Sequence, residues 1–338
     1  MQPVVLTPIL KSRVWGGRRL EAFGLDVPPD ARIGEAWLLA DLPEAVEDGR
    51  SVVESGPWRG QTLHELLEAD RSSWMGTAEL GPDDRFPLLV KLLDARENLS
   101  VQVHPTPAYA QSHPGAHPKS EAWIVLQADP GSQIYRGLRP DVTRESFLEH
   151  LRAGTVPKLL EAVPARPGDC HDLRSGTCHA LGAGVLVAEV QTTSDTTFRL
   201  YDWGRVDRPL HIDEALACMD FAPPRRRVEP VTIDAGDVRT ERLVDTPAFS
   251  IERLVAVRPT RLDVPTSGRP IVLVTLEGRA SVETPDGSIP AIPGRALLVP
   301  AATGTARLEM DCAAVVLRVD VPGPIDHIID DGPAMASA

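Results

Sequence analysis

The sequence predicts a mainly β protein, a sandwich or barrel in which helices are insertions. Three observations carry this. Proline (32) and glycine (26) are abundant, aromatic residues are only 4% of the chain, and short apolar runs recur between Pro, Gly and Asp punctuation.

In chain order, Val4 to Leu10, Ala36 to Ala40, Leu88 to Leu93, Ser100 to His104, Ala122 to Leu126 and Val185 to Val190 are the candidate strands of the first part. Helices are expected over Thr62 to Asp70, over Thr143 to Ala153 and over Asp213 to Met219. In the second of these Thr143 can cap, and Phe147, Leu148 and Leu151 share a face. The stretch Phe221-Ala222-Pro223-Pro224-Arg225-Arg226-Arg227 reads as an exposed connector, its arginines being a solvated run rather than a phosphate site. Strands then return at Ile271 to Leu276, Arg279 to Glu283, Arg295 to Val299 and Ala314 to Val319, separated by Glu277-Gly278, Pro285-Asp286-Gly287 and Pro293-Gly294. The expected division is a catalytic domain over 1–220, a linker over 221–240, a second β domain over 241–325 and a frayed tail over 326–338.

The 42% apolar fraction and mixed charges mark a soluble globular chain, and no apolar run reaches the roughly 18 residues that a membrane-spanning helix needs. Met1-Gln2-Pro3-Val4-Val5 does not open a secretory signal, so the expected location is the cytoplasm. A net charge of −13 argues against nucleic acid or an anionic membrane as partner; an anionic substrate would need cations supplied locally. The four cysteines, Cys170, Cys178, Cys218 and Cys312, form no CxxC pair and no disulfide framework. Cys178 beside His179 resembles a nucleophile and base, but neighbours along a strand point to opposite faces.

The chemistry-bearing residues begin with Leu99-Ser100-Val101-Gln102-Val103-His104-Pro105. In a strand, positions two apart share a face, so Gln102 and His104 project together with Val101 and Val103 opposite. Alternation alone leaves two readings open, a pair of metal ligands or the polar face of a strand. Glu121 opens an apolar strand in Lys119-Ser120-Glu121-Ala122-Trp123, and His179 follows a glycine turn in Gly176-Thr177-Cys178-His179. Two imidazoles, a carboxylate and an amide oxygen suit a divalent metal, with zinc favoured and iron or manganese also compatible. Histidine is locally common, as His113, His117 and His171 show, and His171 is expected to be structural or exposed. The order Q-x-H, E, H matches the spread of ligands over the strands of a cupin barrel.

Several motifs in order resemble the type I mannose-6-phosphate isomerases, especially the short bacterial form. They are Val14-Trp15-Gly16-Gly17, Gly34-Glu35-Ala36-Trp37, Phe86-Pro87-Leu88-Leu89-Val90-Lys91-Leu92-Leu93-Asp94-Ala95, Leu99 to Pro105, Lys119 to Trp123, Gly176 to Gly182, and Gln191-Thr192-Thr193-Ser194-Asp195-Thr196-Thr197-Phe198-Arg199-Leu200-Tyr201-Asp202-Trp203-Gly204-Arg205. The likeness covers roughly residues 1 to 215, and the C-terminal part only in general plan. It implies two cupin (jelly-roll) domains, with the helical insertions in the first, and one zinc ion held by Gln102, His104, Glu121 and His179. It also implies that Arg199 is the catalytic arginine and that Lys119 and Asp195 lie near the substrate. Lys91, on an apolar strand, is expected to face the same cavity. Arg174 stands where the family commonly has proline, which alters the turn before His179 but not the ligand. The second domain has no histidine between Thr240 and Val319 and is expected to hold no such metal.

The implied activity is aldose–ketose isomerisation of mannose 6-phosphate and fructose 6-phosphate through an enediolate. A divalent metal would polarise the carbonyl, Arg199 would stabilise the developing oxyanion, and either Lys119 or Asp195 would move the proton. Lys91, Lys119 and Arg199 are the local cations for a phosphate. Two alternatives carry different signatures: a non-haem iron dioxygenase, disfavoured by Gln102 as a fourth protein donor, and a non-catalytic sugar-binding cupin, disfavoured by Arg199 and Lys119 beside a full ligand set. The protein is expected to act as a monomer or weak homo-oligomer.

Overall fold

The computed structural model describes residues 1–222, 230–285, 287–321 and 323. Four antiparallel sheets pair into two barrels. The first barrel sets a six-stranded sheet, which includes Ile33–Leu39, Leu88–Ala95, Val185–Thr192, Glu121–Ala128 and Cys170–Leu173, against a five-stranded sheet that includes Phe198–Tyr201, Val101–Val103, His179–Leu181 and Gln133–Leu138. The second sets a seven-stranded sheet containing Ile271–Glu277 and Val315–Asp320 against a four-stranded sheet over Thr260–Pro265, Thr305–Met310, Ala280–Thr284 and Gly287–Ala291. No helix among the described residues is long and apolar enough to cross a membrane.

Alternation along the strands decides what each face does. In Leu88–Ala95, Leu88, Val90 and Leu92 pack into a core shared with Val272, Val274, Leu298 and Val319 of the second barrel. The other face carries Leu89, Lys91 and Leu93, which turn into the first barrel's interior. Both faces are covered, which is why this strand reads as a nearly continuous apolar run. In Ile271–Glu277, likewise, Val272 and Val274 meet the first barrel while Ile271 and Leu273 fill the second barrel's own core.

The structure redraws the expected elements in three places. The run Val4 to Leu10 is two strands: Val4–Leu6 pairs with Ala296–Val299 of the second barrel, whereas Ile9–Gly17 joins the first. Pro8 between them has no N–H to continue a ladder. The span 221–240 is no simple linker, because Val231–Ala235 and Val238–Asp245 are paired strands at the edge of the seven-stranded sheet. The arginine run and the tail fall largely outside the described residues. Finally, the helix capped by Thr62 runs over Leu63–Met75, past Asp70. Asp70 leaves helical geometry, and its carboxylate accepts from the Ser73 backbone at 3.1 Å, restarting the helix as an N-cap would. Thr143 caps its helix as expected.

Candidate active site

The first barrel's interior is a cleft of about 380 Å³ lined by two facing rows of side chains. On the five-stranded sheet, Arg199, Gln102 and His179 stand opposite one another on three neighbouring strands. On the six-stranded sheet, Trp37, Lys91, Glu189 and Trp123 form a matching row across four strands. Glu121 lies two residues before Trp123 and so faces the same interior.

At the floor, His104, Glu121 and His179 are fully buried and bring one donor atom each within 4.8 Å of one another. Each histidine places Nδ1 against a backbone carbonyl, His104 on Thr196 at 3.3 Å and His179 on Thr177 at 2.8 Å. A carbonyl can only accept, so Nδ1 carries the proton and each Nε2 presents a lone pair. Both Nε2 atoms face the Glu121 carboxylate at 3.1 Å. Burial and the nearby Lys119 ammonium push the His104 imidazole down to about 3, so it is neutral at physiological pH. Burial raises the Glu121 carboxyl, but the Lys119 ammonium beside it is the largest of the opposing effects, and the carboxyl is held well below the usual range. His104 Nε2 and both Glu121 oxygens lack a hydrogen-bond partner. Two imidazole nitrogens and a carboxylate converging in a buried pocket are the donor set that a divalent cation satisfies, with Lys119 holding the carboxylate from one side at 3.0 Å. Gln102 completes the arc with its amide 3.2 Å from His179 Nε2; a half-turn of that amide presents its oxygen.

Above this floor the wall is an ion-pair lattice. Lys91 Nζ lies 3.2 Å from Glu189 and 3.8 Å from Glu35. Trp123 and Trp37 donate their indole N–H groups to Glu189 and Glu35 at 2.8 and 2.6 Å, and Arg13 reaches Glu35 at 2.6 Å. Burial opposes charge on Glu35, yet Lys91, Arg13 and the Trp37 hydrogen bond hold its carboxyl at about 2. Burial also opposes charge on Lys91, and the two glutamates raise it above its ordinary value. A Cβ on Gly34 would sit 2.6 Å from Arg13 Cβ and 2.7 Å from the Trp15 ring, so only glycine fits there.

The structure thus brings every residue predicted to bind metal or substrate into or beneath one cleft. Lys91, Gln102, Lys119, Asp195 and Arg199 line it, and His104, Glu121 and His179 lie under it. Lys119 is buried and paired with Glu121 at 3.0 Å, Asp195 is exposed at the rim, and Arg199 is partly buried. His171 is buried, opposite Trp123 on the neighbouring strand, outside the ligand cluster. Cys178 faces a separate apolar core, where burial pushes its thiol up to about 12, so it is no nucleophile. Sequence reasoning missed the roles of Glu35, Glu189, Arg13 and Arg208. Glu189 had a signal, a charge at the centre of Val185-Leu186-Val187-Ala188-Glu189-Val190, equivalent to the one that exposed Lys91.

Fold and site together define a two-cupin protein with a buried two-histidine, one-carboxylate cation site at the floor of a polar cleft. The family description "Phosphomannose isomerase type I, catalytic domain" matches residues 4–130. The chain is 35% identical over 317 residues to a mannose-6-phosphate isomerase of Bacillus subtilis, covering 91% of this chain and 96% of that protein. It is 36% identical over 256 residues to one from Streptococcus mutans, covering 74% and 78%. The crystal structure of a mannose 6-phosphate isomerase from Bacillus subtilis superposes with a TM-score of 0.85 at 27% identity, covering 95% of this chain and all of that one. The chain belongs to the type I mannose-6-phosphate isomerase family.

Proposed function

We propose that the protein interconverts mannose 6-phosphate and fructose 6-phosphate in the cytoplasm, with zinc as its metal. The observation that carries this reading is the buried convergence of His104 Nε2, His179 Nε2 and the Glu121 carboxylate beneath a cleft that also holds Arg199 and Lys119. Neutral imidazoles with one carboxylate suit zinc, and Gln102 can add a neutral oxygen. When bound, the metal supplies Lewis-acid polarisation of the sugar carbonyl and its neighbouring hydroxyl.

The protein's own groups do the rest. The reaction removes a proton alpha to the carbonyl and returns it to the adjacent carbon, through an enediolate whose charge is the obstacle. Arg199, in register with Gln102, offers a permanent planar cation to that oxyanion. The proton is carried by Lys119 or by Asp195, which line the same cleft. Lys91 is already matched by two carboxylates, so its contribution is to hold Glu35 and Glu189 as fixed acceptors for sugar hydroxyls.

Incubation of zinc-loaded protein with mannose 6-phosphate, and separately with fructose 6-phosphate, in deuterated water tests the reading by NMR. Interconversion with exchange at the second carbon is expected. Neither interconversion nor exchange would sink it.

A further inference from the structure

Five cations line the cleft, and they differ in what balances them. Arg13 lies 2.6 Å from Glu35, Lys91 3.2 Å from Glu189 and Lys119 3.0 Å from Glu121, each a carboxylate within or just beneath the cleft. Arg199 and Arg208 are different. Arg199 has no carboxylate within ion-pair distance among the described residues; its Nη1 donates to the Pro209 carbonyl at 2.8 Å, and its buried Nε has no partner. Arg208, the residue before that carbonyl, is gripped by Asp202 through Nε at 2.9 Å and Nη2 at 2.7 Å.

Asp202 is itself buried and also accepts from Arg205 at 2.6 Å. One carboxylate therefore serves two guanidiniums, Arg205 and Arg208, and a third, Arg199, stands beside them. The remaining acidic groups nearby are peripheral: Asp207 is exposed, and Glu97 reaches Arg205 at 3.6 Å from a half-exposed position. Burial and the Arg208 charge lower the Arg199 guanidinium from its ordinary value, and Asp202 and Asp207 only partly offset them. This end of the cleft has an excess of planar donors, while every other cation in it is matched.

We propose that Arg208, presented by the buried Asp202, is the specificity-determining residue for the substrate's phosphate, with Asp202 as its positioning residue. The inference rests on the isomerase reading and deepens it. A guanidinium whose fork is fixed by a carboxylate on one side offers its remaining N–H groups to a phosphate without further ordering. Arg199 stands opposite Gln102 in the sheet and donates to the carbonyl that follows Arg208, so it links the cation end of the cleft to the Arg208 end.

The test measures KM and kcat for mannose 6-phosphate, and the competitive Ki of inorganic phosphate, in Arg208→Leu, Arg208→Lys and Asp202→Asn proteins of verified zinc content. Losing a charge-assisted contact predicts that Arg208→Leu raises KM and Ki by about tenfold to a hundredfold. Its kcat should fall less than about threefold, Arg208→Lys should recover part of the affinity, and Asp202→Asn should lie between. KM and Ki within twofold of the unmodified protein, or a fall in kcat with KM and Ki unmoved, would overturn the proposal. If the unmodified protein shows no turnover, the isomerase reading fails separately. Calorimetric phosphate binding then decides this one: loss in Arg208→Leu upholds the site, and equal binding removes it.

Discussion

The two barrels present the same kind of strand to their interiors with opposite results. Leu88–Ala95 turns Leu89, Lys91 and Leu93 inward, and Ile271–Glu277 turns Ile271, Leu273 and Thr275. Both strands give their other face to the core shared between the barrels. The second barrel fills its interior with Val264, Val282, Leu297, Leu308 and Val316, and among the described residues it contributes nothing to a metal-ligating cluster. In the first, a lysine, two glutamates and two indoles replace that filling, and each charge has a partner. The lesson is that a jelly-roll interior holds charge when the charges arrive as a lattice. Isolated buried ions cost several kcal/mol each, so the catalytic barrel is constrained as a set.

The largest effects should come from breaking the floor of the first barrel. His179→Ala or Glu121→Gln removes a cation donor, and since losing outer-shell support alone costs roughly tenfold to a hundredfold, turnover should fall by at least about a hundredfold. Elemental analysis should show the metal gone; a variant with full metal removes that residue from the ligand set. Next, Arg199→Ala should lower kcat by about two to three orders of magnitude, with a smaller change in KM. Steady-state kinetics check this, and a change confined to KM would give Arg199 a binding role only.

The two interiors should also differ in how their stability responds to charge. Leu273→Lys places an ammonium in the second barrel without a carboxylate and should destabilise by about 3 to 5 kcal/mol in urea unfolding. Lys91→Met should destabilise by a similar amount, since Glu189 is left with only the Trp123 hydrogen bond, and adding Glu189→Gln should recover most of it. Strict additivity of the two changes would refute the lattice.

The smallest effect is acid sensitivity. The Glu35 carboxyl is held at about 2 against an ordinary 4.5. Its folded value is lowered, so its contribution is full above pH 4.5 and disappears as pH falls toward 2. The difference corresponds to about 3 kcal/mol. Urea midpoints at pH 5 and pH 3 should differ less in Glu35→Gln than in the unmodified protein, and an identical pH dependence would contradict the assignment.

Much of this site was legible because strand alternation is local. Gln102 and His104 were placed on one face by their spacing, and Lys91 stood out as a charge inside an apolar run. What alternation cannot supply is which strands become neighbours. Glu35 meets Lys91, and Lys91 meets Glu189, through pairings between segments more than 50 residues apart. The division of Val4 to Leu10 between two barrels is equally nonlocal, although Pro8 marked the break. Arg208 was illegible for a further reason: a charged loop residue reads as solvated until the buried Asp202 is seen behind it.

On the proposed reading, one buried cation held by His104, Glu121 and His179 makes the first barrel an isomerase. That reading is tested most directly by stripping the protein with a chelator, titrating zinc back and following bound metal and mannose 6-phosphate turnover together. Activity should rise in proportion to zinc and saturate at one ion per chain, and His179→Ala should do neither. Full turnover in the stripped protein, or saturation of His179→Ala at one ion per chain, would contradict it.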